Sequence, residues 1–159
     1  TFGARAPEQQ LRTSVSSEVE TTRRLRVLMA DDHPTNRAVI EVVLGLIDCD
    51  LVQVEDGRQA LDAYLSDDFD VVLMDLQMPV MDGLTAIREI RQAELRQGRA
   101  RTPVLAVTAN AMSEHVQASR AAGADHHIAK PIIPDLLIGA IIQSTTAAAA
   151  AEARIAQPA

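Results

Sequence analysis

The sequence predicts an α/β fold, a parallel sheet covered by helices on both faces, on three observations. Short apolar segments alternate with segments of helical period five times over. The connections between them are short. Polar residues that packing does not require stand where the apolar segments end. Alternation of this kind gives a parallel sheet whose strands are joined by right-handed crossovers.

Taken in order, Thr1 to Arg24 is polar, without a sustained apolar period, and is expected to be a linker or loosely ordered arm. The start at Thr and not Met hints at a piece of a longer protein, although processing would give the same. Leu25 to Ala30 reads as the first strand and runs into Asp31-Asp32-His33-Pro34. Pro34 suits a first helical turn, after which Val39, Ile40, Val43, Leu44 and Ile47 recur at helical spacing. Leu51 to Val54 is a second strand, and Asp56-Gly57 turns into a helix with Ala60, Leu61, Tyr64 and Leu65 on its apolar face.

Val71 to Met74 is a third strand, apolar throughout as strands buried on both faces are, and it ends in Asp75. Asp82-Gly83 then opens a helix marked by Leu84, Ile87 and Ile90, which enters the charged stretch Arg91 to Arg101 and breaks at Gly98. Val104 to Val107 is a fourth strand, ending in Thr108. The helix after it, Ser113 to Ala122, has few large apolar anchors and stops at Gly123. His126 to Ala129 is a weak fifth strand, expected at an edge, and leads to Lys130-Pro131. A last helix from Pro134 carries Leu136, Leu137, Ala140 and Ile141; the alanine-rich tail either extends it or frays.

Composition narrows the functions. A chain of 159 residues has room for one domain with a core, and 2% aromatics make that core aliphatic. A net charge of -7 argues against a phosphate-backbone partner, which calls for a basic face. No apolar run approaches the ~18 residues of a membrane span, and the start lacks the layout of a signal peptide. The single Cys49, in apolar surroundings, fits a reducing compartment and a small core residue. A cytoplasmic location is expected, without direct membrane contact. Of 15 basic residues only Lys130 is a lysine. Either a compact ammonium is needed there instead of a planar fork, or one lysine has survived an arginine-favouring composition.

In open α/β sheets sites lie beyond the carboxyl ends of the strands. Asp31 and Asp32, Asp75, Thr108 and Lys130 end four different strands and would meet at one rim. Carboxylates gathered there need a cation; oxygen donors with room for water suit Mg2+. With Lys130 opposite, a phosphoryl group would be neutralised from both sides, which is what its transfer requires. Asp75 is the natural nucleophile.

With Met-Asp-Leu-Gln-Met-Pro-Val-Met-Asp-Gly, Val-Thr-Ala-Asn and Ala-Lys-Pro following the Asp pair in order, the chain resembles the receiver domain of two-component response regulators, most of all those of hybrid sensor histidine kinases. The resemblance covers Leu25 to Gln143. It implies a flavodoxin-like doubly wound sheet of strand order 2-1-3-4-5. It further implies that Asp75 accepts a phosphoryl group from phosphohistidine. Asp32 would bind Mg2+ directly, Asp31 would assist, and the backbone carbonyl of Gln77 would be a further ligand. Lys130 would pair with the phosphoryl oxygens, the Thr108 hydroxyl would act as a switch, and Pro131 would hold the turn, usually through a cis bond. The implied partners are a histidine kinase core in the same parent chain and a histidine phosphotransfer protein.

Blander roles compete at each position. Helix capping accounts for one of Asp31 and Asp32, not both; Thr108 caps well; Asp82 is a turn residue. The four histidines show no phosphodonor context. His127 stands three residues before Lys130, where the family usually carries Tyr or Phe, so the aromatic switch is either absent or pH-sensitive. The isolated domain is expected to be an acceptor that phosphorylates itself, not a turnover enzyme. Its partner-binding face is expected on the fourth helix, the fifth strand and the last helix. The alternatives are a degenerate receiver that works as an interaction module without phosphorylation, and an aspartyl phosphatase. The adjacency of Asp31 and Asp32 disfavours the phosphatase.

Overall fold

A computed structural model describes residues 24–110 and 112–156, with side chains to residue 149. The expected polar arm before Arg24 and the last three residues lie outside the described residues. Five strands, β1 (Leu25–Ala30), β2 (Cys49–Val54), β3 (Val71–Asp75), β4 (Val104–Thr108) and β5 (His126–Ala129), form one parallel sheet in the order β2-β1-β3-β4-β5. The helices are α1 (Pro34–Leu44), α2 (Gly57–Ser66), α3 (Gly83–Gln97), α4 (Ser113–Ala122) and α5 (Pro134–Ala156). Architecture and strand order are those expected, and the alanine-rich stretch continues α5 as helix to Ala156.

The period-2 alternation of each strand sorts the core into two layers. Leu28, Val72, Met74 and Ala106 face α2 and α3, where Leu61, Tyr64, Ile87 and Ile90 cover them. Val27, Met29, Leu73, Val107 and Ile128 face α1 and α5, under Ile40, Leu44, Leu137 and Ile141. β3 and β4 are buried at every position, as their unbroken apolar sequences require.

Some expectations needed correction. Val39, Leu65 and Leu136 are 44%, 41% and 64% exposed, because each stripe is wider than the surface the sheet offers it. α1 ends at Leu44, short of Ile47. β2 begins at Cys49, two residues earlier than expected. Cys49 packs against the core from an edge strand but is only half-buried, its thiol directed at the Leu44 carbonyl, and burial raises its pKa.

The charged stretch after Ile90 fastens the distal part of the sheet. Arg91 is largely buried; its Nε donates to the Gly123 carbonyl (3.0 Å), and its Nη atoms donate to Glu94, the Thr102 carbonyl (2.8 Å) and Asp125 (2.7 Å). Arg101 repeats the contacts to Gly123 and Asp125. Gly98 closes α3 in the left-handed conformation (φ 62°), its amide on the Glu94 carbonyl.

Gly83 is demanded by close approach: a Cβ there would lie 2.1 Å from the Asp75 carbonyl oxygen and 2.8 Å from Leu76 Cα. Backbone, not a flexible side chain, would have to move. Gly83→Ala is therefore expected to cost more than about 3 kcal/mol, the range of severe overpacking; urea unfolding followed by circular dichroism measures it.

Candidate functional site

Asp75 is the last residue of β3 and only 4% exposed. Its Oδ1 accepts from the Gln77 amide (3.2 Å), and its Oδ2 lies 3.5 Å from Lys130 Nζ. Burial pushes the Asp75 carboxyl above the ordinary carboxylate range; the Gln77 N–H and the Lys130 ammonium oppose this, while Asp31 adds to it.

Asp31, directly after β1, is 1% exposed and the most thoroughly held group of the site. Its Oδ1 accepts from the His33 amide (2.9 Å) and lies 3.4 Å from Asn36 Nδ2, and its Oδ2 is 3.2 Å from Lys130 Nζ. Arg37 Nη1 donates to its carbonyl (2.8 Å). Asp32 is more open, with its Oδ1 2.9 Å from His33 Nδ1. Neither aspartate caps α1: the N-cap is His33, with Pro34 following it.

Lys130 thus bridges two buried carboxylates from the ends of different strands. Two local features hold it there: its amide donates to the Thr108 carbonyl (2.8 Å), and the Lys130–Pro131 peptide is cis. Thr108 is 2% exposed and its hydroxyl accepts from the Asn110 amide (3.1 Å). It does not cap the next helix, whose N-cap is Met112. Gln77 is exposed beside Asp75. Asp82 caps α3 by accepting from the Thr85 amide (2.8 Å).

The structure therefore brings Asp31 and Asp75 together on Lys130, with Asp32 beside Asp31 and Thr108 at the end of β4, its carbonyl bonded to the Lys130 amide. Three carboxylates against one ammonium leave an excess of negative charge, and all the acidic donors are oxygens. That donor chemistry fits Mg2+. Sequence reasoning missed the side chains of His33, Asn36 and Arg37, which hold or meet the aspartate pair; their position at the start of the helix after β1 was the available signal.

His127 lies apart from the carboxylates, beside Ala106 in the β4–β5 register. Both ring nitrogens are buried and lack a hydrogen-bond partner. Burial lowers its pKa, and the nearby Arg120 and His115 of α4 lower it further. The shift favours the neutral imidazole, which packs where the resemblance implied Tyr or Phe.

The family model for the response regulator receiver domain matches residues 27–142. The chain belongs to that family. It is 35% identical over 125 residues to the sensor protein GacS of Pseudomonas syringae pv. syringae, covering 79% of this chain and 14% of GacS. It is 38% identical over 117 residues to hybrid signal transduction histidine kinase I of Dictyostelium discoideum, covering 70% of this chain and 7% of that protein. The chain thus spans a small fraction of the curated relatives it matches. Among solved structures it resembles the receiver domain of the sensor histidine kinase PA1611 of Pseudomonas aeruginosa, which holds a magnesium ion in its active-site cleft. That match has a TM-score of 0.71 and 32% identity, over 78% of this chain and 99% of the other. The receiver domain of Saccharomyces cerevisiae Ssk1, solved with the phosphotransfer protein Ypd1, shares the fold at a TM-score of 0.74 and 22% identity, over 77% and 90% of the two chains.

The depressed pKa of His127 has a signed consequence. Free histidine titrates near 6.5, so on acidification the unfolded chain takes up this proton before the folded one does. Stability is lost as pH falls through 6.5 and levels off below the folded pKa. The melting temperature of the wild type is expected to fall more steeply between pH 7.5 and 5.5 than that of His127→Phe; parallel curves would show that the buried imidazole does not contribute.

Proposed function

We propose that this chain is the phosphoacceptor of a two-component phosphorelay, taking a phosphoryl group from phosphohistidine onto Asp75. The observation that carries this is the convergence of Asp75 and Asp31 on the single ammonium of Lys130, at 3.5 and 3.2 Å. In the step, an Asp75 carboxylate oxygen attacks phosphorus. The bond from phosphorus to the donor imidazole nitrogen breaks, and the electron pair leaves with that nitrogen.

Lys130 is placed to neutralise charge on the phosphoryl oxygens as this happens. The Gln77 amide orients the attacking carboxylate. Asp31, Asp32 and Asp75, with the Gln77 carbonyl, would hold Mg2+, which when bound supplies charge stabilisation to the phosphoryl oxygens. Afterwards Thr108 is the group to respond: its hydroxyl would leave the Asn110 amide for a phosphoryl oxygen, repositioning the loop into α4. α4 gives little resistance, since only Ser119 and Ala122 are buried along it. The face of α4, β5 and α5 is the proposed output surface.

Relatives such as hybrid kinase I support placing the domain in a hybrid histidine kinase, on the cytoplasmic side of any membrane that the parent protein occupies. Among the described residues no helix is long and apolar enough to cross a membrane. A histidine phosphotransfer protein is the proposed downstream partner.

Incubation with acetyl phosphate and Mg2+, followed by intact-mass spectrometry, is expected to add one phosphoryl group to the wild type and none to Asp75→Asn. Turnover of varied phosphate esters would mean a phosphatase, and no reaction a module that binds without phosphorylation. A second expectation concerns readout. His127→Tyr should accept phosphate to within about twofold of the wild type, because the ring lies outside the carboxylate cluster, but should change the affinity for the phosphotransfer partner measured by calorimetry. Loss of phosphorylation in this variant would place His127 in the acceptor chemistry.

A further inference from the structure

The ring of His127 lies beside Ala106 on the side of the sheet where α4 packs on β5. A neutral imidazole has one N–H to donate and one lone pair to fill. Here both nitrogens are buried and neither has a partner. Protonation would turn both into donors and put a charge in the same dry place. The surroundings offer that charge nothing. From α4, Arg120 and His115 act on the ring, the first positive and the second positive once protonated. The carboxylate of that helix, Glu114, is exposed at its first turn. On α3, Ile87 and Ile90 join the layer, Arg88 is exposed, and Arg91 turns to Glu94 and Asp125. On β5 itself, His126 and Ile128 take the opposite face, and Lys130 is held by Asp31 and Asp75.

α4 is the element able to yield. Only Ser119 and Ala122 of its ten residues are buried, and its N-cap Met112 makes no side-chain hydrogen bond. Its far end is fixed, because the Gly123 carbonyl accepts from both Arg91 and Arg101. We infer that α4 is an acid-sensitive lid over His127: a proton taken up by the buried ring lifts the start of the helix from β5, with the Gly123 end as hinge. Water then reaches both ring nitrogens, and His115 moves away from the new charge. The opening stands apart from the phosphoacceptor reading. Its consequence for output rests on that reading, since α4 belongs to the proposed output surface and acid would act there without a phosphoryl group. The closed ring holds its proton less tightly than free histidine, which titrates near 6.5. Opening is therefore favoured as pH falls through 6.5, by up to about tenfold per pH unit, and levels off once the closed form is protonated too.

Hydrogen exchange followed by NMR between pH 7.5 and 5.5 tests this, with rates corrected for the pH dependence of unstructured amides. In the wild type, the amides of Val116 to Ser119 are expected to exchange at least about tenfold faster than those of β1 and β3, which report global unfolding. Their protection should fall about three- to tenfold on acidification. His127→Phe and His127→Gln, neither of which titrates, should show no such fall; either one that folds serves as the control. An acid response absent from the wild type, or retained in the variants, overturns the inference. So does exchange of these amides no faster than that of β1 and β3, because the helix would then open only with the whole domain.

Discussion

Asp75 is a carboxylate at 4% exposure, and the rest of the site follows from that constraint. A buried charge without partners is more costly than most folds tolerate. Here the compensation comes from the Gln77 amide on one oxygen and the Lys130 ammonium near the other. The ammonium is itself shared with Asp31, which is buried more deeply still. Neither carboxylate is neutralised in full, and Asp32 adds a third negative group beside them. The outcome is a site held together by the fold and left short of positive charge, which is the condition for taking up a cation and an anionic phosphoryl group together.

The two ends of α4 are anchored differently. At the end of α4, Gly123 offers its carbonyl to both Arg91 and Arg101, and Asp125 binds the same two guanidinium groups. The opposite end of α4 starts at Met112 without a side-chain cap, and its first turn is exposed. Stability along this helix therefore rises from the Thr108 loop toward Gly123. A displacement that begins at Thr108 meets little opposition at first, and the arginine clamp keeps it from spreading into α3. Under this helix the two ring nitrogens of His127 make no hydrogen bond to it, so the ring contributes packing without directional restraint.

The fold was largely legible because each strand could be recognised without the others. β3 and β4 read as uninterrupted apolar runs, and the structure buries each of their residues. The convergence of Asp31, Asp75 and Lys130 was legible for a related reason: parallel strands carry all their carboxyl ends to one edge. Side-chain matters within one element were not. His33 looked like one more polar residue before a proline, and its turn toward Asp32 depends on the backbone entering α1. The exposure of Val39 and Leu136 depends on how much sheet lies beneath their helices, which periodicity does not report. The arginine clamp joins residues over 30 positions apart, such as Arg91 and Asp125, and no local pattern announces it.

Two of the arginines and the single lysine meet different physical demands. Arg91 distributes its guanidinium over two carbonyls and two carboxylates, and Arg99 over the Tyr64 and Asp67 carbonyls and Asp68 while stacking 4.6 Å above the Tyr64 ring. Both tasks need a planar fork with several fixed donors. Lys130 faces a different demand: one cation, approached from two sides by oxygens of separate carboxylates, at a rim that under the proposed function must still admit a phosphoryl group. A guanidinium there would hold both carboxylates in fixed geometry and fill the space in front of Asp75. A compact ammonium on a flexible stem can let one oxygen go and take another, so the residue that pairs Asp31 and Asp75 is also the one suited to change partners under the proposed phosphoryl transfer.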